Sequence, residues 1–299
     1  MNSPLTNFAE MADALEATGD YRVLRRLIPR DRFTEVPADE PFKIGIALDL
    51  ETTGLDTTRD EVIEIGMLKF AYTKDGRVTH VIDTFGAFNE PSITIPALIT
   101  KLTGIDDEMV AGHRIDPAAV ASFVGDAVVI IAHNAQFDRQ FAERLWPAFV
   151  AKAWACSATQ VDWRGLGFEG SRLGYLLAGA GSFHEAHRAV DDCRALLELL
   201  AFQPRAADRP VLSSLLDEAR KKTVRIWAAD APFDLKHELK KRRYRWSDGS
   251  DGRLRSWFVD VEENRRIEEI EFLRKQIYRS EVSPKMDEID AFVRFSNRA

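Results

Sequence analysis

The run Ile44-Gly45-Ile46-Ala47-Leu48-Asp49-Leu50-Glu51 sets two carboxylates inside an otherwise apolar segment, and Thr52-Thr53-Gly54 breaks it immediately afterwards. A short apolar run bounded by turn residues forms a strand. Alternation along that strand sends Asp49 and Glu51 to one face and Ile46, Leu48 and Leu50 to the other. A strand this apolar on one side, with small Gly45 and Ala47 on the other, belongs near the middle of a sheet. Adjacent carboxylates in such a place repel each other and are costly to desolvate. Two placements are compatible with them: an exposed strand end facing water, or a buried position with a cation between the two groups.

The same pattern occurs twice more. Ala127 to Ala132 is a second buried-type strand, closed by His133-Asn134. The segment Ala135 to Leu145 then has helical periodicity, with Asp138 in the apolar stripe beside Phe141, Ala142 and Leu145. A helix from Ala189 to Ala201 carries the stripe Ala189, Cys193, Leu196, Leu199 and Leu200, and Asp192 falls within it. Its neighbour Asp191 lines up instead with Arg194 and Glu198 on the wet face. A single acid on an apolar stripe is often only a partner for the helix dipole. Three segments that each aim carboxylates into a core point to a divalent-metal site.

In chain order, Asp49-Leu50-Glu51-Thr52-Thr53-Gly54-Leu55, His133-Asn134-Ala135-Gln136-Phe137-Asp138 and His187-Arg188-Ala189-Val190-Asp191-Asp192 resemble the three exonuclease motifs of the DnaQ-like family. That family includes the proofreading subunit of bacterial DNA polymerase III. The segments Asp60 to Gly66 and Leu102 to Ile105 are similar as well, and the resemblance spans residues 41 to 203. It implies a ribonuclease-H-like α/β fold with a mixed central sheet. Asp49, Glu51, Asp138 and Asp192 match the family's metal-binding acids, and His187 marks the DEDDh subgroup, in which a histidine acts as general base. Two Mg²⁺ ions, with Mn²⁺ as a substitute, would then serve 3′–5′ release of nucleoside 5′-monophosphates. Thr52, Thr53, Gly54 and Leu55 occupy the place where similar enzymes hold the terminal nucleotide, with Asn134 and Phe137 as further lining residues. Phe137 is equally compatible with plain core.

Five residues put His187 well round a helix axis from Asp192, so it must precede the helix, on a loop able to swing over the site. An imidazole titrates near working pH and suits proton transfer. A solvated loop histidine is the plain alternative. His184 is the rival, expected to be a surface or supporting residue.

At 299 residues, 45% hydrophobic and 30% charged, the chain has the composition of a soluble globular protein with room for a full domain and a smaller one. No apolar stretch approaches a membrane span, and the first residues lack a signal-peptide pattern. Two distant cysteines, Cys156 and Cys193, exclude a disulfide framework and suit a reducing cytoplasm. The net charge of −7 is unevenly spread: residues 1–220 carry 22 Lys and Arg against 33 Asp and Glu, residues 221–299 carry 19 against 15. The basic half is a candidate for phosphate contacts.

The expected organisation follows. Residues 1–40 form an N-terminal extension of two short helices around Thr18-Gly19-Asp20, and 41–203 the exonuclease-like domain. Residues 204–221 are a linker and helix, 222–280 a small α+β module, and 281–299 a flexible tail. In the module, Lys236, Lys240, Lys241, Arg242, Arg243 and Arg245 interleave with Tyr244 and Trp246, flanked by Trp227 and Trp257. Such a cluster grips a nucleic-acid strand, or forms a small core with a solvated helix, or docks a protein. Gly165-Leu166-Gly167-Phe168-Glu169-Gly170 matches a dinucleotide fingerprint, but no buried strand runs into its first glycine. The expected function is metal-dependent 3′–5′ exonuclease action on DNA 3′ ends, of proofreading or repair type, within a polymerase or repair complex. RNA trimming is the alternative within the class, and a non-catalytic accessory protein the alternative outside it.

Overall fold

The computed structural model describes residues 7–37, 39–204, 207–249 and 253–298. Parts of the expected N-terminal extension, linker, module and tail, at residues 1–6, 38, 205–206, 250–252 and 299, lie outside the described residues. The first helix, α1 (Phe8–Ala17), starts at Asn7, whose side chain accepts from the Glu10 amide at 3.3 Å. The second expected helix does not form. Arg25–Arg26 (β1) is extended and pairs in parallel with Ser182–Phe183, the amides of Arg25 and Leu27 donating to the carbonyls of Gly181 and Phe183. Leu27 and Phe33 reach the core from this extended path, and Pro29 bars a helix from continuing through it.

Three long strands then form an antiparallel meander: β2 (Phe42–Thr52), β3 (Val62–Thr73) and β4 (Val78–Phe88). Every residue of β3 is buried, as expected of a strand covered on both faces. Short helices α2 (Ala97–Thr103), α3 (Asp107–Val110) and α4 (Pro117–Val124) lead to β5 (Val129–Ala132), which joins β2 in parallel. Helix α5 (Ala135–Leu145) follows directly, and β6 (Trp154–Cys156) adds in parallel to β5. The sheet order is β4-β3-β2-β5-β6, a mixed sheet of ribonuclease-H-like form. Helix α6 (Leu173–Gly179) and the short β7 (Ser182–Phe183) precede α7 (Ala189–Ala201). The two faces of the sheet build two cores. Ile46, Leu48 and Leu50 pack with α4 and α5, while Ala47, Leu68 and Phe70 pack with α6 and α7.

Helix α8 (Val211–Arg220), placed in a connecting segment by the sequence, buries Val211, Leu212, Leu215 and Leu216 in that second core. Beyond it lies an antiparallel sheet of order β11-β8-β10-β9, made by β8 (Thr223–Ala228), β9 (Arg245–Ser247), β10 (Ser256–Glu262) and β11 (Met286–Ile289). Helices α9 (Lys236–Lys241) and α10 (Arg266–Phe272) accompany it, with α10 continuing in wider turns to Tyr278. Trp227 and Tyr244 are core residues here, and Lys241, Arg242 and Arg245 are paired with Glu238, Glu268 and Asp260 respectively. Trp246 stays half exposed, its ring 5.5 Å from that of Trp257.

The tail is not loose. After β11, it runs back along α5, where fully buried Arg139 donates to the carbonyls of Ala291 (3.1 Å), Phe292 (2.5 Å) and Arg294 (2.7 Å). Arg298 and Arg139 both bind Glu143 at 2.8 and 2.7 Å. A buried guanidinium needs such partners, and only the returning chain supplies the carbonyls.

Candidate active site

Register decides what meets at the end of β2. Asp49 lies opposite Gly66 and Glu51 opposite Glu64, so Glu64 shares the face of the two acids. Helix α7 covers that face. A Cβ at Gly66 would stand 2.3 Å from the backbone carbon of Ala189, so only glycine lets the start of α7 lie so close. The approach brings Asp192, in the first helical turn, onto the pair. Oxygens of Asp49, Glu51 and Asp192 all lie within 4.8 Å of one another. Asp192 is buried and Asp191 exposed, in keeping with the periodicity of the helix.

Asp138 comes from the opposite face, because α5 leaves the end of β5 almost at once. It is buried and acts electrostatically on Asp49, although its oxygens fall outside the three-residue cluster. Burial raises its pKa to about 8, with backbone amides of Asp138 and Leu50 opposing the rise. Burial also lifts Glu51 to about 8, reinforced by Asp192, Glu64 and Asp138 and opposed by Arg188. Asp49 stands well above the usual carboxylate range, first through burial and then through the neighbouring acids. Converging, mutually repelling carboxylate oxygens are the donor set that a hard divalent cation takes.

These shifts give a testable sign. The folded, metal-free protein holds protons that the unfolded chain releases above about pH 4–5, so stability is present below that range and falls as pH rises towards about 8. In chelator, the wild-type Tm should drop by roughly 5–10 °C more than that of Glu51→Gln between pH 5 and 8.5. Added divalent cation should remove most of the difference. Parallel melting curves for the two proteins would mean that Glu51 does not share a site with the other acids.

Two further residues, to which the motifs give no role, stand near the acids. Glu64 accepts from the Ala189 amide at 3.1 Å and pairs with Arg188, also at 3.1 Å, which fixes the first turn of α7. Its signal in the sequence is a glutamate inside an apolar strand, the same oddity as Asp49. The second is His133, which carries no comparable signal. Its ring contacts the Ser157 hydroxyl at 2.8 Å and the Ser171 carbonyl at 2.5 Å, and burial lowers its pKa.

Of the two loop histidines, His187 lies before α7 as expected, and His184 takes the supporting one of its two expected places. His184 is not a surface residue: its ring Nε2 sits 2.9 Å from Asp192 Oδ1, with the side chain 7% exposed. His187 is exposed on the loop before α7, with φ of +70°, and its backbone amide, not its ring, donates to Asp192 Oδ2 at 2.7 Å. The Arg188 amide adds a third bond to Asp192.

Thr52 and Thr53 are buried, and their hydroxyls serve the turn, donating to Gly54 O and Asp60 Oδ1. The Thr53 amide is already engaged by Glu61 O at 2.8 Å, so it is not free for a ligand. A Cβ at Gly54 would overlap the Asp60 carboxylate. Leu55 projects 84% exposed after the turn, Asn134 is exposed, and Phe137 is half-buried with its ring 4.9 Å from Phe141. No strand enters the glycine-rich segment 165–170, which is a run of turns.

A family model described as "Exonuclease" (RNase_T) matches residues 46–200, and the chain belongs to that family. The match agrees with the DnaQ-like resemblance of the three motifs. Among relatives, the DNA polymerase III subunit epsilon of Treponema pallidum is 32% identical over 162 residues, covering 51% of this chain and 73% of that protein. The PolC-type DNA polymerase III of Caldanaerobacter subterraneus subsp. tengcongensis is 42% identical over 98 residues, covering 32% of this chain and 7% of that protein. That of Clostridium perfringens is 34% identical over 167 residues, covering 52% and 11%. The chain thus spans only about a tenth of the PolC-type relatives it matches. No helix among the described residues is long and apolar enough to cross a membrane.

Proposed function

We propose that this chain is a 3′–5′ exonuclease that removes nucleotides from DNA 3′ ends as nucleoside 5′-monophosphates, in proofreading or repair in the cytoplasm. The observation that carries the reading is the convergence of Asp49, Glu51 and Asp192, whose oxygens lie within 4.8 Å of one another. Asp49, Glu51 and Asp192, with Asp138 beside them, would hold two Mg²⁺ ions or Mn²⁺ in their place. Bound there, such ions supply Lewis acidity, which lowers the pKa of water and offsets charge on the phosphate and the departing oxygen.

The chain's own residues do the rest. His187, exposed on the loop before α7, accepts the proton of the attacking water. His184 orients Asp192 through its ring contact. Exposed Leu55 wedges against the terminal base, with half-buried Phe137 as a further lining residue. The polymerase III names of the relatives support a place beside a polymerase.

The experiment is incubation with 5′-labelled single- and double-stranded DNA and RNA, with Mg²⁺ or with chelator. Stepwise shortening of single-stranded DNA from the 3′ end, abolished by chelator, is the expected result. Preferential shortening of RNA would make the chain an exoribonuclease. Cleavage of nothing would leave an accessory protein.

A further inference from the structure

The parallel strands β2, β5 and β6 end on one edge of the sheet, and the acid cluster lies at the first of these ends. Ligands of open α/β sheets bind along that edge. Two strand spacings away, roughly 10 Å, the residues after β6 meet the C-terminal sheet. A cleft of about 370 Å³ lies there, walled by Gln136 of α5, Gln160 after β6, and Arg225, Arg245, Arg253 and Arg294. Arg225, Arg245 and Arg294 face two carboxylates here, Asp260 and Glu218, in a chain of net charge −7.

Arg225 shows that the cleft is built for something. It is 5% exposed, held 4.6 Å from the Phe258 ring, and binds Asp260 through Nε (2.7 Å) and Nη2 (3.0 Å). Its Nη1 is buried with no hydrogen-bond partner among the described residues. Leaving a buried donor unmatched is costly, and an anionic oxygen is the natural complement of a guanidinium edge. Arg245 reaches the same Asp260 at 2.8 Å while 63% exposed, so it can turn a second N–H to a ligand.

We propose that this cleft holds a phosphodiester of the substrate strand, a few nucleotides upstream of the 3′ terminus, a role that rests on the nuclease reading above. The arginines of the C-terminal sheet then grip the strand that the acid cluster trims.

The test uses the full chain, with anisotropy of labelled single-stranded DNA in chelator, so that binding is read apart from hydrolysis. A 15-mer reaches both places; a mononucleotide reaches only the acid end. Arg245→Glu and Arg225→Gln should weaken 15-mer binding about tenfold and flatten its salt dependence, by roughly 0.7 in slope per lost phosphate contact. Mononucleotide binding should stay within twofold. If Arg225→Gln fails to fold, Arg245→Glu decides alone. Unchanged 15-mer affinity and salt slope in Arg245→Glu would overturn the proposal, and equal losses for both lengths would make the cleft a nucleotide site instead. A protein that binds as described but cleaves nothing would keep the cleft and sink the nuclease reading.

Discussion

Asp49→Ala, Glu51→Ala, Asp138→Ala and Asp192→Ala should each lower nucleotide release by roughly 10³-fold or more. Asp138 and Asp192 are buried, Asp49 and Glu51 are partly buried, and the four repel one another, so none is replaceable by a neighbour. Their effects on folding should differ. Removing Asp49 or Glu51 relieves repulsion, and the metal-free protein should melt higher than wild type. Asp192 accepts from His184, His187 and Arg188, so its loss leaves three donors unmatched and should lower the melting temperature. Exposed Asp191 is the control, and Asp191→Ala should keep most activity. An inactive Asp191→Ala beside an active Asp192→Ala would reverse the assignment of the helix face. Oligonucleotide shortening and thermal melts in chelator measure both parts.

His187→Ala should reduce kcat by ~10²–10⁴-fold, the usual loss on removing a general base, with little change in metal affinity. His184 touches a proposed metal ligand directly, so His184→Ala should raise the metal concentration needed for half-maximal rate more than it lowers the saturated rate. A His184→Ala enzyme that loses kcat at saturating metal, beside a His187→Ala enzyme that keeps it, would transfer the role to His184.

The acid pair on β2, the helices of Asp138 and Asp192, and the inward turn of Asp192 rather than Asp191 are all legible in the sequence, because strand and helix periods are local properties. What is not legible depends on distant pairing. Arg25–Arg26 is extended because it borrows the edge of Ser182–Phe183, and no pattern near residue 25 announces that partner. Glu64 matters because register sets it opposite Glu51. The contact of His184 with Asp192 escapes motif spacing, which says nothing about which ring a loop turns inward. The basic and aromatic residues near 240 are largely paired or packed, whereas the arginines of the cleft lie at 225, 245, 253 and 294 and become neighbours only in the folded chain.

The clasp of the tail on α5 has a consequence for the birth of the molecule. Arg139 adjoins Asp138, yet the carbonyls that satisfy it belong to residues up to 155 positions later. Ribosomes add roughly 5–20 residues per second, so the helix of Asp138 waits roughly 8 to 30 s for its partners after its own synthesis. Every other segment of the acid site has left the ribosome by then. The stretch that closes the hydrogen bonds of the helix bearing Asp138 is therefore translated well after the rest of the acid site, so that helix is satisfied late.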